Sequence, residues 1–216
     1  MKIDFVSDIA CPWCAVGLNA LEIALQRVGM DIPVELHFQP FELNPQMGPQ
    51  GEDAVAYLSA KYGISAEQIA RNQAAIRERG AAVGFSFGPR ARVWNTFDGH
   101  RLLHWAGVEG PAGAQRALKH ALLQAYHGQG RNPSDAEVLL EAATGAGLDA
   151  ARARQVLDSD EFSAEVRQAE AFWQQAGIRS VPSVVVNDRH LIQGGQPPEV
   201  FEQALRQIAA TPGETS

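Results

Sequence analysis

The residues best suited to chemistry are two cysteines, Cys11 and Cys14, in the stretch "SDIACPWCAVGLNALEIAL". They are the only cysteines of the chain. Two thiols at this spacing can be half of a metal site, a structural crosslink, two small core residues or a redox couple. Cys-x2-Cys suits half a zinc site, and His100 and His104, four apart on an expected helix, share a face and would supply the rest. The two pairs are far apart in sequence, whereas compact zinc modules keep theirs within roughly 15 to 20 residues, so no metal is expected. A crosslink closing so small a loop removes little unfolded-state entropy. Free cysteine also packs as a small hydrophobe, which leaves the plain core reading open.

The redox reading explains more of the local sequence. A cysteine just ahead of a helix meets unpaired backbone N–H groups and the positive end of the macrodipole, which favour thiolate over thiol. Cys11 is the expected nucleophile. Cys14, one turn on, lies on the same face within reach of a disulfide and is expected to resolve a mixed disulfide. Pro12 suits the first helical position, where no N–H is wasted. Trp13 is expected either to shape an apolar docking surface or to pack half-buried.

These residues need elements to hold them. "KIDFVS", 2 to 7, alternates as a strand does. From Pro12 to about Val28, Val16, Leu18, Leu21, Ile23, Leu25 and Val28 recur at helical spacing, and Gly29 supplies a stop. "IPVELHFQPF", 32 to 41, reads as a second strand and completes a βαβ unit with a parallel sheet. From about 52 to 158 the chain reads as successive helices. Ser65 with Gln68 and Ser134 with Glu137 have capping-box spacing, and Gly63, Gly80, Gly107, Gly128 and Gly147 fall where helices should end. The Gly- and Pro-marked segment 82 to 95 reads as a loop.

A long helix over about 160 to 176, closed by Gly177, leads to "SVVV" and "HLIQ", two β-rich runs that turn at Asn187-Asp188. Gly194 and Gly195 then either offer N–H groups to a small anion or simply break the chain. Pro197-Pro198 starts a last helix. The order is β-α-β, a helical block, then α-β-β-α.

With 216 residues, 45% of them apolar, the chain can bury a sizeable core without staples. No apolar run approaches the ~20 residues that span a bilayer, and the start does not read as a signal peptide. A cytoplasmic protein without membrane contact is expected. Net charge is −7 with no Lys/Arg cluster, so nucleic acid is not an expected partner.

"CPWC" after an N-terminal strand, "SVP" before the last hairpin and the helical insertion resemble the DsbA-type thioredoxin superfamily. "IDFVSDIACPWC", "NTFDGHRLLHWA" and "SVPSVVVNDRHLIQGGQP" resemble its cytoplasmic FrnE-like branch, some members of which belong to polyketide biosynthesis. The resemblance implies an α/β, thioredoxin-like fold with a large all-helical insertion. Residues 1–45 and 159–210 would form the thioredoxin-like domain, 46–158 the insertion and 211–216 a flexible tail.

It also implies a thiol-disulfide oxidoreductase that acts on a disulfide-containing protein or a small-molecule thiol, as monomer or homodimer. No cofactor is implied, with glutathione allowed as co-substrate. Pro182 takes the family's cis-proline position, and the backbone of Val181 would meet an extended substrate. Asn95 and His100 fall in the recurring middle motif, whose helix would border the groove, although His100 also reads as an ordinary helix residue. The other readings are a glutathione-dependent transferase or isomerase of the kappa and hydroxychromene-carboxylate isomerase type, whose members typically carry serine where Cys11 stands, and a binding protein or holdase with inert thiols.

Overall fold

The computed structural model describes residues 1–211, so the expected tail lies, from residue 212 onward, outside the described residues. Strand β1, Lys2–Ser7, is buried at every residue but Lys2, which fits a strand covered on both faces. It pairs parallel with β2, Glu35–Pro40, placing Phe5 opposite Phe38. On its other side it pairs antiparallel with β5, Ser183–Val186, which in turn pairs with β6, His190–Gln193. The order β2-β1-β5-β6 makes the sheet mixed; the parallel expectation holds only for the β1/β2 unit. Asn187 and Asp188, at φ 51° and 56°, supply the two left-handed residues that a tight hairpin turn needs.

Helix α1, Pro12–Val28, crosses from β1 to β2 and packs against α9, Pro198–Ala210. Between β2 and β5 come α2, Ala54–Tyr62, α3, Ala66–Ala82, α4, Phe97–Val108, and α5, Ala114–Leu123, the last prolonged by a wide turn through Gly128. They are followed by α6, Ala136–Gly145, α7, Ala150–Leu157, and α8, Ser163–Gln175. Ser65 caps α3 by accepting from the Gln68 N–H.

Ser134 does not cap α6. The cap is Asp135, whose carboxylate accepts from Glu137 and Val138 N–H, while Ser134 Oγ donates to the Asn95 carbonyl. Both residue types cap well, and the one not anchoring another loop takes the role. The segment 82 to 95 is not all loop: β4, Arg92–Val93, bridges to β3, Glu52–Asp53. Gly80 and Gly107 lie within the last turns of α3 and α4 rather than beyond them. At Gly80 a Cβ would sit 2.4 Å from the Phe87 ring, so the glycine there serves close packing.

Two apolar clusters meet at the start of α1. One joins the sheet to α1 and α9, with Phe5, Leu18, Leu21, Val184 and Phe201 fully buried. The other lies among α4 to α7 and takes in Ile9 and Ala10 from the β1–α1 link. The segment that precedes Cys11 is thereby fixed in the helical cluster.

Candidate active site

Cys11 is the residue from which α1 springs. It has extended φ/ψ of −91° and 113°, and Pro12 stands at the first helical position. The link into it is wired tightly: Cys11 N–H donates to the Asp8 carbonyl at 3.2 Å and Cys14 N–H to the Cys11 carbonyl at 3.0 Å. Both cysteines are free thiols. Cys11 is 4% exposed and Cys14 not at all.

The two thiols are driven apart in acidity. A hydrogen bond from the Cys14 thiol, helped by Cys14 and Trp13 N–H groups, holds Cys11 below its ordinary value against burial and the charge of Asp8. Burial pushes Cys14 well up, and its hydrogen bond to Cys11 and the charge there push it further. Such a pair ionises as a unit, with the front sulfur taking the charge.

Pro182 lies across from α1, and the Val181–Pro182 peptide bond is cis. The Cys11 Sγ lies 3.5 Å from the Val181 carbonyl, a bond the thiol can donate and the thiolate cannot. Gly17 allows the approach of this loop. A Cβ there would be 2.9 Å from the Pro182 ring and 3.3 Å from the Gly195 backbone. Gly194, at φ 82°, donates its N–H to the Pro182 carbonyl at 2.8 Å. That settles its role as a turn, since this N–H is not free for an anion.

Behind the thiols is a buried polar group. The Asp8 carboxylate accepts from Ala10 N–H at 3.0 Å, Leu43 N–H at 2.7 Å and Thr96 Oγ1 at 2.8 Å, and faces His100 Nε2 at 3.4 Å. Burial raises this carboxyl, but the His100 hydrogen bond and charge, with the two N–H groups, outweigh it and hold it below the ordinary range. Lys119 of α5 is 1% exposed. Burial lowers its ammonium, opposed by the charges of Cys14, Asp8 and Cys11. His127 is held neutral, its pKa lowered by burial to about 3, with Nε2 at 2.8 Å from the Ile9 carbonyl.

A cleft of about 690 Å³ opens in front of Cys11, and Pro12, Trp13 and Val181 help to line it. Its far wall comes from α2 and α3 through Tyr57, Leu58, Ile69 and Ile76. Of the residues expected at the groove, Asn95 and His100 are not brought to it. Asn95 ties loops together, donating to the Met47 carbonyl and accepting from Phe97 N–H. His100 is buried on Asp8, at the back of the turn.

Asp8, Gly17 and Lys119 were not singled out by sequence reasoning. A rare lysine within the apolar face of α5 is the one signal that could have marked Lys119. Among the described residues no group of three or more His, Cys, Asp or Glu is placed to hold a metal ion, and His104 instead stacks on Phe162.

The family model described as DSBA-like thioredoxin domain matches residues 2–206. The chain belongs to this DSBA-like family. The uncharacterized protein YwbO of Bacillus subtilis (strain 168) is 30% identical over 209 residues, covering 95% of this chain and 96% of its own. Among solved structures of the family's fold, the probable DsbA oxidoreductase SCO1869 of Streptomyces coelicolor is 36% identical. It covers 100% of this chain and 92% of its own, with a TM-score of 0.88. The cytosolic disulfide reductase DsbM of Pseudomonas aeruginosa, solved with GSH, shares the fold at 16% identity and a TM-score of 0.66, over 98% of this chain and 100% of its own. No helix of the described residues is long and apolar enough to cross a membrane.

Proposed function

We propose that the chain is a thiol-disulfide oxidoreductase of the cytoplasm, with Cys11 as nucleophile and Cys14 as resolving thiol. The observation that carries this reading is the split between the two sulfurs. Cys11 caps the start of the helix, faces the cleft and is held below its ordinary pKa, while Cys14 is sealed behind it and held above. A pair kept merely for packing has no need of that asymmetry.

In the reducing direction, the Cys11 thiolate attacks one sulfur of the substrate disulfide. A Cys11–substrate disulfide forms and the other substrate sulfur leaves as thiolate. Charge on Cys11 is then gone, which removes one cause of the raised Cys14 value. Cys14 loses its proton and attacks Cys11, forming the Cys11–Cys14 disulfide and releasing the second substrate sulfur. Two electrons pass from the dithiol to the substrate, and the two thiol protons go to the released thiolates. The oxidising direction is the same sequence reversed. The Val181 carbonyl lies 3.5 Å from the attacking sulfur, which supports a role for this backbone in meeting an extended substrate. Glutathione is a candidate co-substrate that would restore the dithiol, a reading supported by the GSH in the DsbM structure.

An insulin-reduction assay tests this directly. Cys11→Ser should fall to the uncatalysed rate, and Cys14→Ala should accumulate mixed disulfides on Cys11. Full activity in Cys11→Ser would remove the proposed nucleophile. Reaction of Cys11 with iodoacetamide at pH 6 no faster than a free thiol would favour the inert-thiol reading instead.

A further inference from the structure

The charge of the cleft says more about what enters it, on the reading that Cys11 performs exchange there. The chain as a whole is acidic, at −7, yet among the described residues no carboxylate lines this cleft, and three cations do: Lys61 of α2, Arg90 ahead of β4 and Arg179 ahead of β5. Each is steadied by neutral acceptors. Lys61 Nζ donates to the Leu43 carbonyl at 2.8 Å and Asn44 Oδ1 at 2.6 Å. Arg90 donates to Tyr126 Oη at 3.2 Å and the Ala10 carbonyl at 3.1 Å, and Arg179 to the Gln174 carbonyl.

Arginines elsewhere are commonly neutralised by an acid, as Arg27 is by Glu199, Arg101 by Asp98 and Arg152 by Glu109. Asp8, the acid buried behind the cleft wall, already serves four donors. Cations fixed by carbonyls and hydroxyls keep their charge available. Apolar walls focus the resulting field into the cleft.

Size narrows the occupant. A cleft of about 690 Å³ is in the range that encloses a small ligand, roughly 300 to 1,000 Å³, and its far wall is apolar and aromatic. We propose that the substrate is a low-molecular-weight disulfide, or the corresponding thiol, that carries carboxylates on a short apolar body. Lys61, Arg90 and Arg179 select it by charge, and Cys11 exchanges with its sulfur as described above, yielding two equivalents of the carboxylated thiol per enzyme disulfide formed.

Three disulfides of matched length test the selection: 3,3′-dithiodipropionate, bis(2-hydroxyethyl) disulfide and cystamine, which are anionic, neutral and cationic. Rates with the dithiol enzyme are divided by those of a free small thiol. The anionic probe should be preferred, and Lys61→Gln with Arg179→Gln should lower the anionic-to-neutral ratio about tenfold at low ionic strength and less in high salt. An equal loss on all three probes, or a preference for cystamine, overturns the proposal. So does reduction of insulin with no excess rate on any small probe, an outcome that leaves the chemistry of Cys11 standing.

The carbon analogues suberate, 1,6-hexanediol and 1,6-diaminohexane separate selection from chemistry, with tryptophan fluorescence as the readout. Tighter binding of suberate than of the other two supports the charge selection even where exchange fails. Equal binding of all three overturns it.

Discussion

The front and the rear of the CPWC turn are built on opposite principles. In front, the cleft is open, its cations are hydrogen-bonded among the described residues to neutral acceptors, and Cys11 meets Val181 at the edge of a sheet loop. At the rear, Asp8, Thr96, His100 and Lys119 are all buried, and the Asp8 carboxylate is fully engaged. The two sides share one short segment of chain. On the proposed reading of Cys11, the difference teaches that a reactive thiol is made by leaving one side of it incomplete while over-determining the other.

The sharpest way to break this contrast is Cys11→Ser, which should remove exchange outright and leave thermal unfolding nearly unchanged, because serine differs from cysteine only in oxygen for sulfur. Asp8→Ala should do the reverse. It leaves two buried N–H groups, a hydroxyl and an imidazole without their acceptor, and breaking a buried ionic group of this kind costs about 3 to 5 kcal/mol. Urea unfolding measures it, and an unchanged midpoint would show that the rear is not structural.

Acid should also find the rear first. His127 has a folded pKa of about 3 against an ordinary 6.5, so the unfolded chain takes up this proton earlier than the folded one. Its contribution is complete above pH 6.5 and declines as pH falls through that window, by at most about 1.4 kcal/mol per pH unit. His127→Gln should flatten the fall of the unfolding midpoint between pH 6.5 and 4.5 relative to the parent. An equally steep fall in the variant would assign the acid sensitivity elsewhere.

Gly17→Ala tests the seam between the two sides. The added methyl meets Pro182 at 2.9 Å, and overpacking of this kind costs about 1 to 3 kcal/mol. Exchange should slow as the 181–182 loop moves off the helix, and a variant with both stability and rate intact would show the seam to be loose. The smallest effect is expected from Lys119→Met. Loss of that charge raises the Cys14 thiol further, so the pH profile of mixed-disulfide release should move to higher pH, while a buried ammonium replaced by methionine leaves stability level or improved. Release with an unmoved profile would leave Lys119 no part in the resolving step.

What was legible in the sequence follows the same division. Cys11, Cys14, Pro12 and the α-β-β-α end of the chain announce themselves because their roles are local: a helix start, a one-turn spacing and a two-residue turn. The rear was not legible, since Asp8 reads as a strand-end residue and a lone lysine beside Leu122 and Leu123 on α5 declares no partner until the packing of α5 against β2 is known. His100 and Asn95 were expected at the groove because their motif borders it. The helix does lie nearby, but its rotation turns His100 inward to Asp8, and rotation about a helix axis is set by tertiary packing. The cations of the cleft come from three distant segments, and no single window of sequence shows them together.

The contact between Gly17 and Pro182 has one more consequence. A helix backbone and a proline ring in direct contact have no side-chain rotamers between them. The helix that begins at Cys11 and the loop that carries Val181 are thereby held to each other by rigid groups.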